Sequence, residues 1–291
     1  MLNNFGEVFE NASLLNYNTY GINTSCKYLI KPDSVENLLN LLNYLKENNI
    51  KYYVLGKGSN VILSDNLFNG VIISLEKLDE VKINNNIVEA ECGTILSKFI
   101  MSTINSGLKG LENLALIPGT LGGALYGNAG VSNCTIYDKL ACLEVIRDNK
   151  LIKLNKEDID FGYRYTEFKG TKDIIVKATF KLDEGDIEKL QEVVKENRIK
   201  RLSSQPLEYK NAGSVFKNPE GDYAGRLIEA VGLKGYNIND AEVSNKHANF
   251  IINKGNATGK DIRTLIKLIK EKVYEEFKIE LELEQIIIDW E

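Results

Sequence analysis

The sequence predicts an α+β protein built from roughly two or three packed units. Its 291 residues exceed one average domain, and apolar stripes with helical spacing alternate along the chain with short strand-like runs. Two glycine-rich segments interrupt this pattern: residues 55–60, with the sequence LGKGSN, and residues 118–130, with the sequence PGTLGGALYGNAG.

The first stretch, residues 1–75, is predicted to contain one helix and several short strands. Asp33 or Ser34 can cap the helix. Its apolar stripe consists of four leucines: Leu38, Leu41, Leu42 and Leu45. Strands are predicted at 52–55 and 61–63, on either side of the first glycine segment.

A second α+β stretch covers residues 76–200. Thr94 is expected to cap a helix that carries Leu96, Phe99 and Ile100 on one face. The other predicted elements are strands at 87–90, 140–147 and 174–182 and a charged helix from 186 to about 200.

The third stretch begins near Arg201 and contains a long helix. Thr258 and Asp261 have the spacing of a capping box at its start. Its predicted buried face consists of Ile262, Leu265, Ile266, Ile269 and Val273. The alternation of residues 279–289 predicts a closing strand.

Composition excludes several classes of protein. The chain has 43% hydrophobic and 26% charged residues and a net charge of −5, which gives no overall attraction to nucleic acid. No segment resembles a signal peptide or a membrane span. The four cysteines, Cys26, Cys92, Cys134 and Cys142, are scattered and lack metal-ligand spacing. We therefore expect a cytoplasmic protein with reduced thiols and without a metal.

His247 is the only histidine of the chain. A metal site with several histidines and a histidine relay are therefore excluded. No Gly-x-Ser-x-Gly elbow is present to complete a serine hydrolase triad. We interpret His247 as a structural, hydrogen-bonded residue.

The two glycine segments are interpreted as the two sides of one nucleotide-cofactor cleft. Glycine permits positive φ and close approach to the main chain, and inward-turned N–H groups bind anions such as a diphosphate. The spacing of a P-loop is absent, and Val61 stands where a dinucleotide fingerprint needs its third glycine. The short segment by itself fits a tight turn between strands equally well.

The motifs together resemble the UDP-N-acetylenolpyruvoylglucosamine reductase family, which is also called the UDP-N-acetylmuramate dehydrogenase family. They occur in the family's order and span nearly the full chain. Besides the two glycine segments, the matching segments are 161–165 (FGYRY), 211–219 (NAGSVFKNP), 246–253 (KHANFIIN) and 281–284 (LELE). The short interval between Phe180 and Ser214 resembles the family's shorter branch, which lacks an inserted tyrosine-bearing loop.

The resemblance implies a two-part FAD-binding module of the vanillyl-alcohol-oxidase-like (PCMH) type and a smaller α+β substrate-binding domain. The first FAD subdomain would be 1–75, the second 76–200, rejoined by 278–291, and the substrate domain 201–277. It also implies NADPH as the reductant and UDP-N-acetylglucosamine enolpyruvate as the substrate, with no obligate protein partner. Since no early histidine is present for a covalent link, noncovalent FAD is expected.

The family's chemistry assigns three catalytic residues. Hydride from flavin N5 reaches the methylene carbon of the substrate, Arg164 and Glu284 steady the resulting enolate, and Ser214 protonates it. A serine hydroxyl is a weak acid suited to a basic enolate carbon, and an arginine fork can hold a carboxylate. Glu280 and Glu282 share a strand face with Glu284, and the family's register selects Glu284.

Binding residues also follow from the resemblance. Lys217 and Asn218 are expected to contact the nucleotide-sugar, and Tyr126 either borders the flavin or packs in the core. The cofactor-binding residues are expected to be Gly56, Lys57, Gly58, Ser59, Asn60, Pro118, Gly119, Thr120, Gly122, Gly123, Ala124, Asn128, Ala129 and Gly130.

The chain departs from the family at two places where glycines are common, Asn23-Thr24 and Asn239-Asp240. Asn23 tolerates left-handed geometry, so a bend there is expected to survive. Two other functions remain open: a related FAD-dependent oxidase and a noncatalytic protein that binds flavin or a nucleotide-sugar.

Overall fold

The computed structural model describes residues 2–131 and 134–290. The helices within these ranges are α1 (Val35–Glu47), α2 (Leu96–Asn105), α3 (Leu121–Tyr126), α4 (Ile187–Ser204), α5 (Ala224–Ala230) and α6 (Gly259–Phe277). The first ten strands are β1 (Glu7–Ser13), β2 (Ser25–Lys31), β3 (Tyr52–Val54), β4 (Val61–Leu63), β5 (Phe68–Ile73), β6 (Val81–Asn84), β7 (Ile87–Glu91), β8 (Leu108–Lys109), β9 (Gly130–Val131) and β10 (Cys134–Thr135). The remaining strands are β11 (Leu140–Arg147), β12 (Lys150–Asn155), β13 (Phe161–Gly162), β14 (Tyr165–Thr166), β15 (Ile174–Lys181), β16 (Asp183–Glu184), β17 (Asn237–Ile238), β18 (Ala241–Val243), β19 (Ile251–Asn253) and β20 (Ile286–Ile288).

The chain forms two compact units, each made of separate segments. Unit 1 contains residues 1–10, 28–56 and 70–199. Unit 2 contains residues 11–27, 57–69 and 200–291. The division into two FAD subdomains and a substrate domain stays a prediction, and these units are defined by compactness alone.

The main sheet of unit 1 has the strand order β12-β11-β15-β7-β6, and its neighbouring strands are antiparallel. The predicted strands at 87–90, 140–147 and 174–182 are three of its members. Helix α2 covers its apolar face, where the rings of Phe99 and Phe180 have centroids 5.1 Å apart. The sheet and α2 thereby form the core next to the second glycine segment.

The predicted first helix is confirmed as α1. The Ser34 side chain accepts a hydrogen bond from the Asn37 N–H at 3.1 Å, so Ser34 is the cap. All four leucines of the predicted stripe are buried. They pack with Val71 and Ile73 of β5, which pairs in parallel with β3.

Unit 2 is built around the long helix α6, whose predicted stripe is buried. The antiparallel sheet β17-β18-β19 and helix α5 share its apolar core. The last strand, β20, pairs in parallel with β4, so Ile286 lies opposite Val61. The end of the chain is thereby fixed beside the first glycine segment.

The capping box of α6 is confirmed. Thr258 Oγ1 accepts from the Asp261 N–H at 3.0 Å, and the Asp261 carboxylate accepts from the Thr258 N–H at 2.9 Å. Asn239, at φ 50°, donates through its side chain to the same carboxylate at 2.8 Å. Asn239 thus adopts left-handed backbone geometry at one of the two positions where the family commonly has glycine. Its side chain adds a hydrogen bond to the capping box.

Thr258→Ala is expected to lower the free energy of unfolding by about 1 kcal/mol, because the first turn of α6 loses its side-chain acceptor. Urea denaturation of wild type and variant measures this difference. Thr264→Ala is the control, since Thr264 lies exposed on the same helix. Equal losses in the two variants would show that the cap contributes nothing particular.

Two local predictions were wrong. The expected strand at 279–289 is a strand only at Ile286–Ile288, because residues 282–284 pair with the 215–217 segment and the chain then changes partner to β4. Thr94 does not cap α2, and the cap position is Ile95. The Leu96 N–H instead donates to the Gly119 carbonyl at 3.1 Å, so the second glycine segment takes the place of a side-chain cap.

Candidate active site

The first glycine segment turns between β3 and β4 as predicted. A Cβ built on Gly56 would lie 2.7 Å from Thr120 Oγ1, so unit 1 brings this residue against the second glycine segment. In unit 2, Gly58 has φ 60°, and a Cβ there would lie 2.1 Å from the Tyr17 carbonyl oxygen. Both positions require glycine because backbone or side chain fills the space.

The second glycine segment opens the short helix α3. Thr120 is its cap and accepts from the Gly123 N–H at 3.2 Å. The Gly122 N–H donates to the Cys92 carbonyl at 2.9 Å, and an added Cβ on Gly122 would lie 3.0 Å from that oxygen. These bonds hold the segment against the loop that precedes α2, while Gly123 itself stays exposed.

Asn128 offers a buried acceptor at the end of this segment. Its backbone is left-handed at φ 44°, and its side-chain amide donates to the Gly162 carbonyl at 2.8 Å. Asn128 Oδ1 is buried and accepts no hydrogen bond from the described residues. Such an orphaned acceptor fits the N–H edge of a planar ring of a bound cofactor.

Arg164 lies in the tight turn between β13 and β14, with φ 55°. Its Nη2 donates to the Gly130 carbonyl at 2.8 Å, and its guanidinium carbon lies 5.3 Å from the centre of the Tyr163 ring. The Lys169 ammonium donates to the Arg164 carbonyl at 2.8 Å, which holds the turn. Unit 1 thus ties the predicted catalytic arginine to the second glycine segment.

Unit 2 brings Ser214 and Glu284 onto paired segments. The Glu284 N–H donates to the carbonyl of Val215, the residue after Ser214, at 2.9 Å. Phe216 and Leu283 form an antiparallel bridge next to this bond. Ser214 is partly exposed, and Gly213 before it has no atom within 4 Å of an added Cβ position.

The three glutamates that share the predicted strand face differ in their surroundings. The side chains of Glu280 and Glu282 are 80% and 71% exposed, whereas Glu284 is only partly exposed. Asn60 fixes the Glu284 backbone, since its side-chain amide donates to the Glu284 carbonyl at 3.2 Å. The Asn60 carbonyl also accepts from the Ile286 N–H at 2.9 Å.

The two predicted substrate-binding residues have partners inside the protein. The Lys217 ammonium forms an ion pair with the Glu282 carboxylate. The Asn218 side chain accepts from the Ala224 N–H at 3.1 Å and holds the start of α5. Their contact with a nucleotide-sugar stays a prediction.

Sequence reasoning did not single out three polar residues around Ser214: Tyr20, Asn249 and Gln285. The Asn249 side chain accepts from the Phe216 N–H at 2.9 Å and donates to the Phe216 carbonyl at 2.8 Å. Asn249 lies in a motif that carried the resemblance, so its position was visible although its role was not. Tyr20 is the aromatic residue of the Thr-aromatic-x-Ile element at residues 19–22, whereas no local pattern marks Gln285.

His247 has the structural environment that its interpretation requires. Its Nδ1 accepts from the Asn249 N–H at 3.2 Å, and its ring packs edge-on against Phe250 at 4.8 Å. Burial lowers the pKa of the imidazole, which favours the neutral form at pH 7. Within residues 2–131 and 134–290 no cluster of histidine, cysteine or carboxylate side chains could hold a metal.

Acidification is expected to destabilise the protein through His247. Because the pKa of the folded state is lowered, the unfolded state binds the proton first, and stability falls as the pH drops below about 6.5. Urea denaturation at pH 7.5 and 5.5 measures the loss. His247→Asn, which keeps an acceptor but does not titrate, should lose less stability over this interval, and an equal loss would exclude His247 as the cause.

Comparison with known proteins agrees with this arrangement. Residues 26–152 match the model of an FAD binding domain. Residues 205–288 match the model of the UDP-N-acetylenolpyruvoylglucosamine reductase C-terminal domain. The fold is therefore that of an α+β flavoprotein with an FAD-binding module and a further α+β domain.

Its relatives define the family. The UDP-N-acetylenolpyruvoylglucosamine reductase of Caldicellulosiruptor saccharolyticus is 41% identical over 96% of this chain and 91% of its own length. That of Carboxydothermus hydrogenoformans is 42% identical over 95% and 92%. The crystal structure of the Thermus caldophilus reductase is similar with a TM-score of 0.82 and 32% identity, covering 97% of this chain and 98% of that one. The chain belongs to the UDP-N-acetylenolpyruvoylglucosamine reductase family.

Among the described residues, no helix combines the length and the apolar character that crossing a membrane requires.

Proposed function

We propose that this chain catalyses the NADPH-dependent, FAD-mediated reduction of UDP-N-acetylglucosamine enolpyruvate to UDP-N-acetylmuramate in peptidoglycan precursor synthesis. Membership of the reductase family over 96% of the chain supports the reaction. The observation that carries the proposal is the pairing of the Ser214 segment with the Glu284 segment. Ser214, the proposed proton donor, and the Glu284 carboxylate are thereby held on neighbouring backbone in unit 2.

The residues of the two glycine segments fit a noncovalent FAD. The exposed backbone at Gly123 can be approached closely, and Asn128 Oδ1 is an unused acceptor. Thr120, Gly123 and Asn128 are proposed to contact the cofactor, and so are Gly58 and Asn60. When bound, FAD supplies the hydride that the reaction consumes.

Ser214 is proposed as the proton donor. Its role is to deliver a proton to the substrate carbon that becomes basic when electron density moves toward the carboxylate. Gly213, in left-handed geometry at φ 77° and without neighbours at its Cβ position, leaves room beside the hydroxyl. The Asn211 side chain accepts from the Gly213 N–H at 3.0 Å and helps to hold this conformation.

Arg164 and Glu284 are proposed to act at the substrate carboxylate. Arginine remains charged and binds a carboxylate with two parallel donors, so it stabilises the charge that develops there. Glu284 would share the hydrogen-bond network of that carboxylate. Its backbone is fixed on one side by Asn60 and on the other by Val215.

Lys217 and Asn218 are proposed to bind the nucleotide-sugar. A lysine supplies a compact positive charge for phosphate. Since Lys217 is paired with the exposed Glu282, a phosphate would compete with that carboxylate for the ammonium. Binding is therefore expected to exchange one ion pair for another, which costs less than creating a bare charge.

A cytoplasmic location is proposed as well. None of the four cysteines forms a disulfide, and three of them are buried. Burial raises the pKa of the Cys92 thiol above its usual range and that of Cys134 to about 11, so both stay protonated and unreactive. Such thiols are typical of a reducing compartment.

Anaerobic stopped-flow absorbance of the FAD-loaded protein tests the function. NADPH should bleach the flavin, and UDP-N-acetylglucosamine enolpyruvate should then restore its absorbance with formation of UDP-N-acetylmuramate. Reoxidation by oxygen alone would indicate an oxidase. Absence of both steps would indicate a protein that binds the flavin or a nucleotide-sugar without turnover.

A further inference from the structure

Tyr20 and Gln285 form a buried hydrogen-bonded pair in unit 2. Tyr20 is 0% exposed, Gln285 is 3% exposed, and the phenol donates to Gln285 Oε1 at 3.0 Å. Burial raises the pKa of the Tyr20 phenol beyond its usual range, so it remains a donor at any physiological pH. The Tyr20 main chain is fixed in turn, since Asn253 Nδ2 donates to its carbonyl at 2.8 Å.

The other end of the Gln285 amide holds the backbone that leads into Ser214. Gln285 Nε2 donates to the Ala212 carbonyl at 3.1 Å and to the Gly213 carbonyl at 3.3 Å. Carbonyl oxygens only accept, so the amino end of the amide must face them and Oε1 must face Tyr20. The pair thus has one possible orientation.

Besides Gln285, the Asn211 side chain restrains this side of Ser214, since it accepts from the Gly213 N–H at 3.0 Å. Gly213 is left-handed and has no atom within 4 Å of its Cβ position, so packing does not fix it. After Ser214, the Val215 N–H donates to the Asn249 carbonyl at 2.9 Å, and the Val215 carbonyl accepts from Glu284. The hydroxyl therefore lies between an anchor at Val215 and one at Gln285.

We propose that Tyr20 and Gln285 are positioning residues that set the place of the Ser214 hydroxyl for proton transfer. This inference rests on the proposed reductase function. Tyr20 orients the Gln285 amide, and the amide holds the two peptide carbonyls before Ser214. Gln285 directly follows Glu284, whose backbone is fixed separately by Asn60 and Val215.

Gln285→Leu removes all three hydrogen bonds of the amide at similar volume. It is expected to slow substrate reduction about 100-fold, the cost of misplacing a reacting group by about 1 Å. Tyr20→Phe removes only the phenol oxygen and is expected to slow the same step about fivefold. Reduction of the flavin by NADPH should proceed at the wild-type rate in both variants, because it does not use Ser214.

A double-mutant cycle with Ser214→Ala distinguishes positioning from a general structural role. If Gln285 acts through Ser214, then Gln285→Leu should change the residual rate of Ser214→Ala less than twofold. A full 100-fold loss in both backgrounds would overturn the inference. If Gln285→Leu fails to fold, a double-mutant cycle of Tyr20→Phe with Ser214→Ala tests the same inference with a milder substitution.

Backbone hydrogen exchange provides a readout independent of turnover. The peptide that contains residues 212–216 should exchange faster in Tyr20→Phe and Gln285→Leu, whereas Thr258→Ala should leave it unchanged. Unchanged exchange in both variants would contradict the anchoring. If the wild-type protein reduced no substrate, both the proposed function and this inference would be wrong. If the wild type were active but the rate losses of Gln285→Leu and Ser214→Ala multiplied in the double variant, only the inference would be wrong.

Discussion

Ser214→Ala is expected to slow reduction of the enolpyruvyl substrate about 1,000-fold while the flavin is still reduced by NADPH. A positioned proton donor contributes roughly 10² to 10⁴ to a rate, and alanine leaves only solvent to protonate the carbon. In an anaerobic stopped-flow experiment, the first phase should be unchanged and the second should nearly disappear. The variant should therefore accumulate reduced flavin during turnover.

The control for this variant is Ser203→Ala. Ser203 lies exposed on α4 and donates to the Lys200 carbonyl at 2.9 Å, so its loss tests the effect of removing a serine hydroxyl from the same unit. Both phases should remain at the wild-type rate. Should Ser214→Ala lose flavin reduction as well, its effect would be on cofactor binding or folding, and the proton-donor role would be wrong.

Gly58→Ala is expected to weaken FAD binding at least about tenfold. When the free loop relaxes to relieve the cost of a left-handed alanine, about 1–2 kcal/mol, restoring the binding conformation lowers the affinity by about a factor of ten. At Gly58 the added Cβ would also lie 2.1 Å from the Tyr17 carbonyl oxygen, so the loop has to move. Flavin content after gel filtration and titration of the apoprotein with FAD measure the loss.

Gly221→Ala is a matched control for the backbone strain. Gly221 has φ 76°, lies exposed in unit 2, and has no atom within 4 Å of an added Cβ. This variant has the unfavourable left-handed backbone of an alanine without a steric clash, and its FAD affinity should equal that of wild type. If Gly58→Ala also binds FAD normally, the first glycine segment does not form part of the cofactor site.

Elements with local signals could be predicted from the sequence. The leucine stripe of α1, the capping box of Thr258 and Asp261 and the strands around the first glycine segment depend on residues a few positions apart. Hydrophobic periodicity and helix-capping preferences directly reflect interactions between residues that are close in sequence. The order of the motifs along the sequence was likewise sufficient to indicate the family.

Features that depend on distant partners could not be predicted in this way. Asn60 was assigned to cofactor binding from its motif, yet its side chain also holds the Glu284 carbonyl, far along the chain. The wrong strand at 279–289 has the same origin, because alternation does not reveal that the backbone changes partners at Glu284. At Thr94, the competing partner of α2 was a glycine segment, which capping rules do not include.

The bend expected at Asn23 also changes place. The positive φ of this segment belongs to Gly21, at 65°, while Thr24 is buried and donates through its hydroxyl to the Asn66 carbonyl at 2.8 Å. The Thr24 side chain therefore forms a hydrogen bond at a position where the family commonly has glycine. Sequence alone gave no partner for that hydroxyl.

The parallel pairing of β20 with β4 sets an order of events during biosynthesis. Strand β4 is translated early, but its partner β20 lies more than 200 residues further along the chain. At about 5–20 residues per second, this wait is on the order of tens of seconds. The pairing that fixes the backbone next to Glu284 therefore forms only after Ile288 has left the ribosome, and nascent chains should acquire FAD affinity only after that point.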